Sequence, residues 1–137
     1  MSEDSIVIVS GVRTPMGGLQ GSLSAVTAVE LGTTAISAAV ERSGLAASDI
    51  DEVIMGCVLP AGLKQGPARQ AALQAGLPKS TGAVTINKLC GSGMQATIYA
   101  HDMLKAGSAS IVLAGGMESM TNAPHIISGA RSGIGTG

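Results

Sequence analysis

Residues 83–107, AVTINKLCGSGMQATIYAHDMLKAG, decide the fold. The run from Ala83 to Leu89 reads as a strand, and the segment from Ser92 to Lys105 reads as a helix closed by Ala106-Gly107. A strand that feeds a helix through Gly91-Ser92-Gly93 is half of a crossover unit, and it sets Cys90 at the strand's carboxyl end. The helix is apolar around most of its circumference, which predicts burial on more than one side.

Outward from this unit the pattern repeats. Three further apolar runs, Ser5 to Val9, Glu52 to Val58 and Ser110 to Ala114, read as strands. The stretches VIMGCVL and SIVLA are continuous rather than alternating, as in strands covered on both faces. Thr27-Ala28-Val29-Glu30 has the form of a capping box, and Val26, Val29, Thr33, Ile36 and Val40 follow at spacings of three and four up to Ser43-Gly44. Pro67 suits a first helical position, Ala68 to Ala75 continue that helix, and Gly76-Leu77-Pro78 end it. The order β-α-β-α-β-α-β predicts an α/β fold with right-handed crossovers and a largely parallel, doubly wound sheet. From Thr121 onward no period survives, so 121–137 read as loop.

A chain of 137 residues suits one domain with a real core. Charged residues make up 12% of it, against about a quarter in an average soluble domain, so some apolar surface is expected to meet another chain or a further segment. Trp and Phe are absent and Tyr99 is the single aromatic residue, which leaves the core to Val, Ile, Leu, Met and Ala. The net charge is −1 without a basic cluster, so neither nucleic acid nor an anionic membrane is an expected partner. No stretch reaches the roughly 20 apolar residues needed to cross a bilayer. The amino terminus, MSEDSIVIVSG, is acidic where a signal peptide is basic, so Cys57 and Cys90 are expected to be reduced thiols of a cytoplasmic protein.

Cys90 holds a chemically privileged place. Ligands of open α/β sheets bind beyond the carboxyl ends of strands, and the unpaired amides and dipole of a helix amino terminus stabilise negative charge. A thiolate nucleophile suits such a position. Two other readings stay open at this level: Cys90 as a small buried hydrophobe, or GSGMQA (Gly91 to Ala96) as a dinucleotide-binding turn with Glu118 as its ribose acid. Against the second, Asn87 and Lys88 interrupt the strand before the glycines, and Glu118 lies beyond Gly115-Gly116. A base is not evident either. His101 falls eleven residues beyond Cys90, about 16 Å along a regular helix, and reads as a helix-surface residue. His125 falls in the terminal loop.

GVRTPMGGLQGSL (Gly11 to Leu23), GPARQAALQAGLP (Gly66 to Pro78), INKLCGSGMQA (Ile86 to Ala96), AGGMESMTNAPH (Ala114 to His125) and ARSG (Ala130 to Gly133) together resemble the amino-terminal part of the thiolase family, in particular its acetyl-CoA acetyltransferases. The resemblance implies a thiolase-like fold, this chain being the first half of a duplicated one, with 1–120 as the amino-terminal α/β domain and 121–137 as the truncated start of a loop region. It implies that Cys90 is the catalytic nucleophile. Its sulfur takes the acyl group of an acyl-CoA as a thioester, and its backbone N–H forms part of the oxyanion hole. A second acetyl-CoA then attacks to give acetoacetyl-CoA, or the steps run in reverse.

No cofactor beyond coenzyme A thioesters as substrates is implied, and no metal. A homo-oligomer through edge strand 83–89 is implied, with Lys88 discouraging wrong edge pairings. The helix after Cys90 resembles the family's helix buried between two similar halves. The family's activating histidine, its second catalytic cysteine and its Asn-Glu-Ala-Phe and Gly-His-Pro motifs lie in a carboxyl-terminal half that this sequence does not contain. Most of its CoA pocket comes from an inserted loop domain, so no residue here is assigned to CoA, and the chain alone is expected to be inactive. Lys64 and Gly66 stand where the family usually has Gly and Asn, an effect expected to be local. Cys57 is expected in the core, and Met117, Glu118 and Met120 in packing and loop anchoring. The rival expectation from a different class is a noncatalytic truncated paralogue that docks on longer subunits.

Overall fold

The computed structural model of the chain describes residues 5–135. Helices and strands alternate in it: α1 (Ala28–Ser43), β1 (Glu52–Gly56), α2 (Pro67–Gln74), β2 (Gly82–Ile86), α3 (Ser92–Lys105) and β3 (Val112–Gly116). Short 3-10 turns follow α1 at Ala47–Asp49 and follow β3 at Met120–Asn122 and Ala130–Ser132. The helix ends obey their local signals. Thr27 Oγ1 accepts from the Glu30 amide at 3.2 Å while the Glu30 carboxylate accepts from the Thr27 amide at 2.8 Å, and α1 stops at Gly44 with φ 71°. α2 begins with Pro67 and is tied to the approach of β2 by the Arg69 guanidinium, which donates to the carbonyls of Lys79 and Thr81.

The strands form one parallel sheet in the order β2-β1-β3, with Glu52 opposite both Gly82 and Val112, and Gly56 opposite both Ile86 and Gly116. Side chains of β1 alternate between faces. Val53, Met55 and Cys57 pack with Ile36 of α1 and Ala68, Ala71 and Ala72 of α2, whereas Ile54 packs on the opposite face with Ala96 and Ala100 of α3. The chain moves one way across the sheet from β1 to β2 through α2, then the other way from β2 to β3 through α3. Reversing direction while changing face keeps both crossovers of one hand, as the parallel, doubly wound reading requires.

Three expectations are corrected. Ser5 to Val9 form no strand: Val7, Ile8 and Val9 are 66, 86 and 60% exposed, because an apolar run becomes a strand only where a neighbour supplies the ladder. The described order is therefore α-β-α-β-α-β rather than β-α-β-α-β-α-β. α3 is buried along one side only, through Ser92, Ala96 and Ala100, while Met94, Ile98 and Tyr99 stay exposed. No described element packs on that outer side. The strands are also shorter or shifted: β2 ends at Ile86, where its pairing with β1 stops opposite Gly56, and β3 runs two residues beyond Ala114.

Candidate active site

Parallel strands bring their carboxyl ends to one side, and the loops leaving β1 and β2 turn to opposite faces. Ligands of open α/β sheets generally bind where such loops part. Cys90 lies there, exposed, one residue before the helix cap Gly91. The amino terminus of α3 leans hard on the sheet at this point. A β-carbon on Gly56 would fall 2.6 Å from Ser92 Cβ and 2.9 Å from the Gly93 nitrogen, so only glycine allows the approach.

The turn that carries Cys90 is pinned from inside. Ser92 is buried, and its hydroxyl accepts from the Lys88 amide at 2.8 Å and donates to the Leu89 carbonyl at 2.6 Å. Asn87 Oδ1 accepts from the Leu89 amide at 3.0 Å, which supports Leu89 in a conformation that is uncommon for a branched side chain. The amides of Gly91 and Ser92 donate to the carbonyls of Lys88 and Leu89 at 3.1 and 3.0 Å. Among the described residues the Cys90 amide, by contrast, donates no hydrogen bond. The Lys88 ammonium reaches Gln95 Oε1 at 2.7 Å, along the first turns of α3.

A second set of bonds joins the three strand ends. The Glu118 carboxylate, just past β3, accepts from the amides of Val58 at 2.8 Å and Leu59 at 3.2 Å, just past β1. Val58 in turn offers its carbonyl to Asn87 Nδ2 at 3.2 Å, just past β2. Glu118 thus anchors a loop, as expected, and its engagement removes it as a ribose acid for a dinucleotide. Met117 is buried against α1 beside Gly32, as a packing residue should be, but Met120 is 65% exposed.

The two cysteines differ sharply. Cys57 is buried in the core, as expected, with Sγ 3.7 Å from Glu118 Oε1. Burial first, then the negative charge of Glu118 and the hydrogen bond to it, push the Cys57 thiol up to about 11. It remains a protonated packing residue at neutral pH. Cys90 is open to solvent, so the reading of it as a small buried hydrophobe does not hold. His101 lies on the outer surface of α3 with Nδ1 3.2 Å from Asp102 Oδ1, and His125 is exposed in the terminal loop. Asn87 and Ser92 are the members of the site that the sequence reading did not single out for a role. The signal for Asn87 was present: an Asn two residues before a residue that must turn is an Asx-turn pattern.

The architecture is that of an α/β domain whose doubly wound parallel sheet presents an exposed cysteine at the turn into α3. The chain matches the family described as Thiolase, N-terminal domain, over residues 6–137, and it belongs to the thiolase family. It is 52% identical over 129 residues to an acetyl-CoA acetyltransferase of Cupriavidus necator, covering 94% of this chain and 33% of that protein. It is likewise 52% identical over 128 residues to the cytosolic acetyl-CoA acetyltransferase of Gibberella zeae, covering 93% of this chain and 32% of the relative. A thiolase of Ascaris suum solved in complex with coenzyme A superposes with a TM-score of 0.87 at 44% identity, over 89% of this chain and 32% of its own. The chain therefore spans about a third of the length of these relatives. Among the described residues no helix is long and apolar enough to cross a membrane.

Proposed function

We propose that Cys90 is the nucleophile of a thiolase-type acyl transfer that uses coenzyme A thioesters. In the first step Cys90 Sγ attacks the carbonyl carbon of an acyl-CoA, the new S–C bond replaces the old one, and coenzyme A leaves as its thiol with the proton that the cysteine gave up. Negative charge collects on the carbonyl oxygen as the carbon becomes tetrahedral. A free amide at a helix start is the group that can meet it, and such donors act strongly because they are fixed before charge develops. The observation that carries this reading is an exposed thiol at the start of α3 whose own amide, among the described residues, donates no hydrogen bond. The names of the relatives and the coenzyme A bound to the Ascaris thiolase support the substrate class.

The second step, attack by a deprotonated acetyl-CoA to give acetoacetyl-CoA, requires a base and a group to return the proton. His101 faces away with Asp102, so it does not meet that need. We therefore expect the chain by itself to accept an acyl group without condensing two of them. The same reading takes 1–120 as the α/β unit and 121–137 as the start of a loop region, and places the protein in the cytoplasm, as in the Gibberella relative. It also takes β2, an outer strand of the sheet, as the edge through which two copies pair.

Incubation with radiolabelled acetyl-CoA followed by peptide mass spectrometry tests the proposal. Label is expected on Cys90 and absent after Cys90→Ser. An unlabelled Cys90 at saturating thioester, in a chain whose fold is intact by circular dichroism, would refute it.

A further inference from the structure

We propose that Asn87 is a positioning residue for Cys90, its carboxamide fixing the Leu89–Cys90 peptide so that the Cys90 amide points to where the acyl oxygen becomes negative. The inference deepens the acyl-transfer reading and rests on it.

The Cys90 N–H belongs to the peptide plane between Leu89 and Cys90, and the direction of that plane follows from the conformation of Leu89. Leu89 sits at φ 51°, where a side chain crowds its own backbone, and it stays there only because its surroundings hold it. Two groups do so: Ser92, buried beneath the turn, and Asn87, exposed beside it. Asn87 is not a packing residue, and its removal opens no cavity. What it contributes is a bond in each direction, accepting from the Leu89 amide at 3.0 Å and donating to the Val58 carbonyl at 3.2 Å. That second bond fixes the carboxamide itself, because the Val58 and Leu59 amides are clamped by Glu118. The path from β3 to the thiol therefore runs through Glu118, Val58, Asn87 and Leu89. Only a side chain with both a donor and an acceptor at this length completes it.

The test compares two reactions of the same sulfur. Acetylation by p-nitrophenyl acetate forms the Sγ–C bond through a tetrahedral oxyanion, expels p-nitrophenolate and leaves the thiol proton to the buffer. Alkylation by iodoacetamide displaces iodide and develops no oxyanion. Both rates are measured at Cys90 by mass spectrometry on the wild-type chain, Asn87→Ala and Asn87→Asp. Asn87→Ala is expected to slow acetylation about tenfold, the equivalent of about 1.4 kcal/mol, and to leave alkylation within about twofold. Asn87→Asp, which keeps the acceptor for Leu89 and loses the donor to Val58, is expected to fall between. Equal slowing of both reactions, or unchanged acetylation, would overturn the proposal.

If wild-type Cys90 takes no acetyl group at all, the acyl-transfer reading fails separately. The positioning role is then decided by hydrogen exchange. Faster exchange of the Leu89 amide in Asn87→Ala upholds the hold on the turn, and unchanged exchange refutes it.

Discussion

Replacing Gly56 by alanine tests how closely the Cys90 turn is fitted to the sheet. The added carbon would lie 2.6 Å from Ser92 Cβ, 2.8 Å from the Ser92 carbonyl carbon and 2.9 Å from the Gly93 nitrogen. None of these atoms is the free end of a flexible side chain. Ordinary contact begins near 3.4 Å, so the first turn of α3 has to retreat by most of an ångström. Ala96 lies fully buried one turn further along, and Gly93 packs against Gly116, so the helix cannot yield there without opening its contact with β3. Overpacking of this kind costs about 1–3 kcal/mol. For a chain of this size that lowers Tm by roughly 3–15 °C. Urea unfolding followed by far-ultraviolet circular dichroism measures the loss, with Gly11→Ala as the control, since nothing lies within 4 Å of a β-carbon there. The control should stay within about 0.5 kcal/mol of wild type. Equal stability of the two variants would show that α3 does not rest on β1 as described.

The capping box and the buried thiol lead to further expected outcomes. Thr27→Ala is expected to cost about 1 kcal/mol in urea unfolding at neutral pH, because α1 loses its cap. Hydrogen bonds from the Thr27 backbone and then its side chain hold the Glu30 carboxyl below its usual range, so the stability they lend is present at neutral pH and is lost on acidification. A wild-type chain whose acid sensitivity matches that of Glu30→Gln, which cannot titrate, would contradict this. Cys57 is expected to resist thiol reagents at neutral pH while Cys90 reacts. Because the folded state raises Cys57 from 9.0 to about 11, its contribution to stability is intact below pH 9.0 and is lost as pH rises through that interval. Glu118→Gln removes the negative charge and should bring the thiol's titration back toward its ordinary value, as read from thiolate absorbance.

Much of the fold was legible because its signals are local. Thr27 and Glu30 mark a helix start within one turn, Gly44 and Pro67 mark ends by their own backbone preferences, and the residues involved need nothing distant to act. Ser5 to Val9 carry an equally clear apolar signal and form no strand, since a ladder depends on a partner that the run itself does not encode. The outer side of α3 was misread for a similar reason. Met94, Ile98 and Tyr99 report what the helix is able to bury, not what covers it. At the site, Cys90 stood out through its glycines, whereas the left-handed Leu89 did not, because leucine disfavours that conformation and only the preceding Asn87 hints at it. The link from Glu118 to Val58 spans 60 positions and leaves no periodic trace.

That span also bears on the order in which the molecule assembles. Asn87 is 29 positions from the carbonyl it grips, and the carboxylate that steadies this carbonyl lies 60 positions from it, beyond β3. Distant closures are slow because chain entropy must be surrendered before the contact forms. The brace around Cys90 is therefore complete only after β3 has docked, and until then a nascent chain carries its exposed sulfur in a turn that is still slack.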